Sequence, residues 1–258
     1  MVPEIALLPV VLCSSPSTRE GKGPGRSRHR VLVIIRRLVL AAVIFSIVLV
    51  LCLRWVPPPT SAFMIERYFE TRFEGGRATP IRYRWVDWKS ISPQMPLAVV
   101  AAEDQMFPHH WGFDFEAISD AMEENKRGHR LRGASTITQQ VAKNLFLWPG
   151  RSYVRKGLEA YFAILLELLW SKNRILEVYV NIAEFGNGIY GVDAAARTLL
   201  RKSPAKLTRG DAALLAAVLP NPTRFKVRHP SRYVLRRQQW IEQQMQQLGG
   251  VSYLKDCQ

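Results

Sequence analysis

The stretch EDQMFPHHWGFD, residues 103–114, places two acidic residues directly after the apolar run at residues 97–102. A carboxyl group at the end of an apolar segment is partly withdrawn from water, which raises its pKa toward the range that suits proton transfer. The same pattern also fits a solvated pair of acids at the boundary of a helix. Polar and basic residues further along the chain decide between these two interpretations.

The composition is that of a folded protein with an unusual charge. Of the 258 residues, 48% are hydrophobic and 22% are charged, which excludes a chain that is disordered throughout. The formal net charge is +15 and the isoelectric point is about 10.2. Such an excess suits an anionic partner, which could be nucleic acid, a membrane surface or a phosphate-bearing substrate. A surface rich in arginine without any such partner is the alternative.

An apolar run, LVLAAVIFSIVLVLCL at residues 38–53, indicates a membrane anchor. With its flanks it approaches the roughly 20 residues that one spanning helix needs. Basic residues precede it, and short basic flanks stay on the cytoplasmic side; they are Arg19, Lys22, Arg26, Arg28, Arg30, Arg36 and Arg37. We therefore predict a basic, disordered cytoplasmic tail over residues 1–37, an anchor over 38–56 and an exported domain over 57–258. A cleaved signal peptide is the alternative, but no small-residue cleavage pattern follows the run.

The pattern after residue 96 is helical nearly throughout, which predicts a mainly α fold in one domain. A short strand is predicted over residues 81–85, and residues 63–73 fit either an interfacial element or a core-packing helix. The three cysteines, at 13, 52 and 257, provide neither a disulfide framework nor a metal cluster. The predicted helices cover residues 97–103, 115–125, 135–147, 154–170, 172–181, 192–200, 209–219 and 232–248.

A polar helix start follows at residues 133–144, GASTITQQVAKN. Thr136, Gln139 or Gln140, and Lys143 recur at helical spacing and share one face. The free N–H groups and the positive end of the dipole at a helix start favour a bound anion. An exposed polar stripe without a ligand is the alternative.

A third stretch, RSYVRKGLEA at residues 151–160, leads into an apolar helix that carries an acid. Glu159 follows Lys156 by three residues and Arg155 by four, so all three can face one site. An intrahelical salt bridge explains this spacing, and so does a second carboxylate in an active site lined with cations. With Glu103, two carboxylates suit glycosidic-bond chemistry, whereas the cations suit a diphosphate leaving group. A glycosyltransferase with a lipid-diphosphate donor would need both.

These three stretches, together with ILEVYVNIAEFGNGIYGVDAAA (175–196) and AALLAAVLPNPTRF (212–225), resemble the five motifs of the peptidoglycan glycosyltransferases of family 51. The resemblance implies a mainly α, lysozyme-like glycosyltransferase domain preceded by a single N-terminal transmembrane helix. It further implies a bacterial inner-membrane protein whose catalytic domain is periplasmic. The implied reaction polymerises lipid II into β-1,4-linked glycan and releases undecaprenyl diphosphate. Because the chain ends soon after the fifth motif, like monofunctional members, no transpeptidase activity is expected.

The resemblance also implies roles for individual residues. Glu103 would be the general base that deprotonates the acceptor hydroxyl in an inverting displacement, and Glu159 would assist, at the diphosphate or by orienting Glu103. Mg²⁺ or Mn²⁺ could help at the diphosphate, although no tightly bound cofactor and no dedicated metal site are expected. The expected substrate-binding residues fall into three groups. Those that would hold the diphosphates are Lys143, Arg151, Arg155 and Lys156. Those that would position the sugars and the helix are Ser135, Gln140 and Asn144, and those that would shape the surroundings of the base are Asp104, Phe107, His110 and Gly112.

Two other functions stay open at this point. A lysozyme-like muramidase would share the implied fold but would have no use for cations around Glu159. A non-enzymatic scaffold for other cell-wall synthesis proteins would use only the anchor and the basic surface. The expected partners are lipid II, the lipid-linked growing glycan and the membrane, and nucleic acid is disfavoured because the basic domain lies outside the cytoplasm.

Overall fold

The computed structural model describes residues 25–73, 79–117, 135–150 and 152–257, together with residues 119 and 123. Helices dominate this part of the chain, so the predicted mainly α class is confirmed. Short turns of 3-10 helix occupy Trp88–Ser90, Pro204–Lys206 and Gly250–Cys257. The α-helices are α1 (Gly25–Leu53), α2 (Ala62–Phe73), α3 (Gln94–Glu103), α4 (Ile137–Phe146), α5 (Tyr153–Leu169), α6 (Lys172–Ile182), α7 (Gly191–Ala195), α8 (Arg209–Val218) and α9 (Arg232–Gln247).

The predicted helices after residue 135 agree with the structure to within a few residues at each end. The prediction over 192–200 needs a correction, because α7 ends at Ala195 and a π-helical turn, Ala196–Leu200, follows it. Arg201 then closes this segment in the left-handed region, with φ of 56°. Most of the helix predicted over residues 115–125 lies outside the described residues.

A small three-stranded sheet joins the segment after α2 to the loop between α6 and α7. Its strands are β1 (Arg82–Tyr83), β2 (Glu184–Gly186) and β3 (Ile189–Tyr190), in the order β1-β3-β2. β1 runs parallel to β3, whereas β2 runs antiparallel to β3 with an irregular register. The strand predicted over residues 81–85 therefore exists but is shorter.

Helix α1 begins earlier than the predicted anchor. Residues His29–Leu53 are long and apolar enough to cross a membrane. The predicted disordered tail is wrong for residues 25–37, because arginine is a good helix former and the apolar residues between the arginines continue the helical run. Residues 1–24 lie outside the described part of the chain.

One compact unit, residues 47–258, includes the last turns of α1. There the Trp170 indole N–H donates to the Val50 carbonyl at 2.8 Å. The Arg174 guanidinium donates to the carbonyls of Leu53, at 2.8 Å, and Val56, at 2.9 Å. Carbonyls at a helix C-terminus have no partner within the helix, so these donors fix the end of α1 to the domain.

Helix α2 has one buried face and one exposed apolar face, so it fits both interpretations of its sequence. Met64 is buried, as expected of a core-packing helix. Tyr68, Phe69 and Phe73 are exposed, as expected of an interfacial element.

Helix α3 passes through the core of the domain and ends at Glu103. Residues 95–101 are all buried, and the helix packs against α6, α8 and α9. A helix that is apolar on every side is stable only when other elements surround it. Its last residue, Glu103, is therefore carried out of the core at a position that three other helices fix.

A turn between α6 and α7 can accommodate only glycine. Gly191 has φ of +80°, and a Cβ atom there would lie 2.4 Å from the Asn181 carbonyl oxygen. The Asn181 side chain in turn accepts from the Val86 N–H and donates to the Val86 carbonyl, both at 2.9 Å. Asn181 thus holds the segment after β1 against α6, while its backbone lies against Gly191.

We expect Gly191→Ala to destabilise the domain by about 2 kcal/mol or more, because the left-handed backbone and the clash each add strain. Gly157→Ala is the matched control. Gly157 is exposed on α5 with open space around its Cα, so alanine should stabilise that helix by up to about 1 kcal/mol. Thermal unfolding in detergent measures both effects. A Gly191→Ala variant as stable as the wild type would contradict this account of the turn.

Candidate active site

The two carboxylate oxygens of Glu103 have different partners. The Gln140 side-chain amide donates to Oε2 at 3.1 Å, and the Arg237 guanidinium lies 3.3 Å from Oε1. The buried Tyr179 hydroxyl donates to the carbonyl oxygen of the Gln140 side chain at 2.9 Å. Because an ionised carboxylate only accepts hydrogen bonds, the NH₂ group of Gln140 faces Glu103, and its carbonyl oxygen is left to accept from Tyr179.

Burial is the main influence on the proton affinity of Glu103. Burial raises the pKa of Glu103 above that of an ordinary glutamate. The hydrogen bond from Gln140 and the positive charges of Arg237 and Lys143 oppose this rise in pKa, and the neighbouring carboxylate of Asp104 adds to it. A carboxylate with an elevated pKa accepts a proton more readily, which is the property that a general base needs.

The carboxylate of Asp104 fastens the loop after α3 to the start of α4. It accepts from His110 Nε2, at 2.8 and 3.0 Å from its two oxygens, and from the Ile137 N–H at 2.9 Å. The Thr136 hydroxyl, which caps α4, donates to the Gly112 carbonyl at 2.7 Å. The structure thus places His110 as a hydrogen-bonded support of the loop.

A second set of contacts holds the same loop from the side of α5 and α6. Phe107 is fully buried, and the Lys172 ammonium lies 4.6 Å from the centre of its ring. Lys172 also donates to the His110 carbonyl and pairs with Glu167 at 2.8 Å. The Thr138 hydroxyl donates to Glu167 at 2.6 Å, so α4, α5 and the loop share one polar network.

Glu159 forms a buried cluster with two cations on α5. Its side chain is only 3% exposed. Arg155 Nη1 lies 2.9 Å from one carboxylate oxygen, and the Lys156 ammonium contacts the other. The structure therefore shows the intrahelical salt bridge, and it also leaves the Lys156 side chain 53% exposed and open to a ligand. Two cations and one carboxylate leave the cluster with a net positive charge.

Lys143 is influenced electrostatically by both acids. Burial lowers the pKa of Lys143, while Glu159 raises it, Arg155 and Lys156 lower it, and Glu103 raises it. Glu103 and Glu159 therefore both lie within electrostatic range of this one amine. The ammonium group also lies 5.7 Å from the ring centre of Phe63 on α2.

The other predicted substrate-binding residues make fewer contacts with the residues around Glu103 and Glu159 that the structure describes. Ser135 is exposed just before α4. Asn144 lies on α4, and its buried Oδ1 atom has no hydrogen-bond partner among the described residues. Gly112, in the left-handed region, leaves room for Glu167 Cγ, which a Cβ atom would approach to 3.0 Å. Arg151 lies outside the described residues.

The described residues do not fit a resident divalent metal ion. They contain no group of three or more His, Cys, Asp or Glu side chains that could hold one. Both oxygens of Glu159 already face cations. No step of the chemistry is therefore assigned to Mg²⁺ or Mn²⁺.

Tyr179 and Arg237 touch the site but were not predicted to belong to it. Tyr179 lies on the buried face of α6, and a hydroxyl on such a face usually finds a partner. Arg237 falls three residues after Val234 and four before Ile241, which both lie on the buried face of α9. This spacing predicts that Arg237 lies on the buried face of the helix, whereas its neighbour Arg236 is exposed.

The elevated pKa of Glu103 predicts an effect on stability. The Glu103 carboxyl group binds its proton more tightly in the folded protein than in the unfolded chain. Ionisation of Glu103 therefore lowers the free energy of unfolding, progressively as the pH rises from the pKa of the unfolded chain to that of the folded protein. Glu103→Gln removes this penalty. We expect a higher melting temperature than the wild type at pH 8, and a smaller difference at pH 5. Glu116→Gln, at an exposed position, should change neither value. A Glu103→Gln variant that is less stable than the wild type at pH 8 would contradict the argument.

Comparison with known proteins places this chain in a family. A family model described as Transglycosylase matches residues 73–246. A protein of Xanthomonas campestris pv. campestris (strain B100) is 51% identical over 237 residues, covering 92% of this chain and 96% of the relative. One from Pseudomonas putida (strain F1) is 54% identical over 224 residues, covering 86% and 94%. Both relatives are named biosynthetic peptidoglycan transglycosylase. From the matched model and these identities, the chain belongs to the transglycosylase family.

Proposed function

We propose that the chain is a membrane-anchored peptidoglycan glycosyltransferase that polymerises lipid II into β-1,4-linked glycan strands. The observation that carries this proposal is that Lys143 lies within electrostatic range both of Glu103, a largely buried carboxylate of elevated pKa, and of the cluster of cations around Glu159. The names of the relatives support peptidoglycan as the product.

Glu103 is the general base of the proposed reaction. Its carboxylate takes the proton of the acceptor 4-hydroxyl as that oxygen attacks the anomeric carbon of the lipid-linked growing glycan. The bond from this carbon to the diphosphate oxygen breaks, and its electron pair leaves with undecaprenyl diphosphate. Attack opposite the leaving group inverts the anomeric carbon. Gln140 orients the carboxylate because Tyr179 fixes the direction of its amide.

The cations act on the other side of the broken bond. Negative charge develops on the departing diphosphate, and charge-assisted hydrogen bonds from Lys143, Arg155 and Lys156 would stabilise it. Glu159 is a positioning residue in this scheme. A buried carboxylate and a buried guanidinium each need a charged partner, so the pair with Arg155 fixes both side chains in place.

The anchor gives the enzyme access to a substrate that is itself in the membrane. We assign α1 as a single pass through the bacterial inner membrane, with the N-terminus in the cytoplasm and the domain in the periplasm. The apolar span His29–Leu53 and the basic residues before and within its start support this orientation. The contacts of Trp170 and Arg174 with Val50 and Leu53 join the domain to the last turns of α1.

The test is polymerisation of labelled lipid II in detergent by the purified wild type, Glu103→Gln and the exposed control Glu116→Gln. Products are separated by size and digested with a muramidase. We expect long, digestible chains from the wild type and the control. Loss of a general base should lower the initial rate of Glu103→Gln by about 100-fold or more.

The other outcomes distinguish the alternatives. A folded wild type that leaves lipid II unchanged would support a scaffold. Release of fragments from finished glycan, without elongation of lipid II, would support a muramidase. Full activity of Glu103→Gln would exclude Glu103 as the base.

A further inference from the structure

A cation from the last long helix contacts the proposed base. Arg237 lies on α9, outside all five motif stretches, yet its Nη2 atom is 3.3 Å from Glu103 Oε1 and 3.4 Å from the Ala102 carbonyl oxygen. The Arg237 side chain is only 21% exposed. The contact joins residues that are 134 positions apart in the chain.

We propose that Arg237 is a positioning residue that keeps Glu103 ionised and oriented for proton transfer in the free enzyme. This inference deepens the function proposed above and rests on Glu103 being the base. Arg237 does not touch the reacting atoms in this scheme and acts through the carboxylate.

The geometry of the contact leaves the carboxylate able to work. A bidentate guanidinium would bind both oxygens through two parallel hydrogen bonds. Here one nitrogen of Arg237 serves both Glu103 and the Ala102 carbonyl at long distances, and Gln140 binds the other carboxylate oxygen. Each carboxylate oxygen can accept more than one hydrogen bond, so Oε1 and Oε2 both retain capacity for an acceptor hydroxyl.

The packing of α9 fixes Arg237 at this position. Val234, Ile241 and Met245 bury one face of the helix, and Arg237 falls on that same face. A cation on a buried face is costly unless it is paired, and Glu103 is the carboxylate that it reaches. The register of α9 is fixed a second time by Gln244, which accepts from the Gln105 side chain at 3.0 Å.

The charges that face Glu103 come from several elements. Arg237 on α9 and Lys143 on α4 lower the pKa of Glu103, while burial and the adjacent Asp104 raise it. The phenol of Tyr179 on α6 also lies close, and burial raises its own pKa, so it stays neutral. Without Arg237 the pKa of Glu103 rises further. The base then loses its ionised form at a higher pH than in the wild type.

The test is the pH dependence of the initial rate of lipid II polymerisation. In Arg237→Gln the acid limb of the profile should lie at higher pH, so the loss of rate is greatest under acidic conditions and shrinks as the pH rises. Below the limb, each unit of displacement lowers the rate about tenfold. Arg237→Lys should restore part of the displacement. Arg236→Gln, which removes the same charge from an exposed neighbour, should match the wild type.

Three results would overturn the proposal. An unchanged acid limb in Arg237→Gln, with the rate lowered equally at every pH, would make Arg237 merely structural. A higher rate at every pH would make it an inhibitory latch on the base. Displacement of the limb by Arg236→Gln to the same extent would indicate a general charge effect.

Two further variants keep the test decisive. Arg237→Met retains the length and the apolar stem of the side chain, and replaces Arg237→Gln if that variant fails to fold. Glu103→Gln is assayed in parallel. If it still polymerises lipid II, the proposed function fails; if it is inactive while the limb of the Arg237 variants is unchanged, only the role of Arg237 fails.

Discussion

The geometry of the active site depends on the carboxylate of Asp104. It accepts from His110 on its own loop and from the N–H of Ile137, the first residue of α4. Since α3 is fixed inside the core and ends at Glu103, this contact sets the distance between the base and the residues that α4 provides, Gln140 and Lys143. A buried acceptor that loses one of its donors costs about 1–3 kcal/mol, and more when it is charged. The cost makes one arrangement of loop and helix strongly preferred.

The proposed reaction has two opposite electrostatic requirements, one at the base and one at the leaving group. The base needs burial, which makes its carboxylate more willing to accept a proton, whereas the leaving diphosphate needs positive charge. Lys143 is influenced electrostatically by both Glu103 and Glu159. The pairing of Glu159 with Arg155 and Lys156 offsets the cost of placing cations beside a buried acid. Burial of ionisable groups is thus a cost to folding that the proposed chemistry requires.

The sequence predicts most of the helices because their apolar positions recur at helical spacing, and it predicts the grouping of Arg155, Lys156 and Glu159 because neighbours on one helix are three or four residues apart. It does not predict the contact of Arg237 with Glu103, because local periodicity shows which face is buried and not what that face meets. The sequence pattern predicts an anchor from residue 38, whereas α1 begins at Gly25, because arginines between apolar residues resemble a boundary although they continue the helix. The structure therefore adds most in the contacts between residues far apart in the sequence and in the positions where helices begin.

The central claim is that Glu103 performs the chemistry while the cluster around Glu159 binds the diphosphate. Equilibrium binding of labelled lipid II, measured in the Glu103→Gln background so that the substrate is not consumed in the proposed reaction, tests this division directly. Adding Lys156→Gln should weaken binding about tenfold, because a charge-assisted contact to phosphate is lost. Adding Lys89→Gln, at an exposed position, should leave binding unchanged. Equal affinities for the two double variants, or no binding by Glu103→Gln itself, would contradict the account.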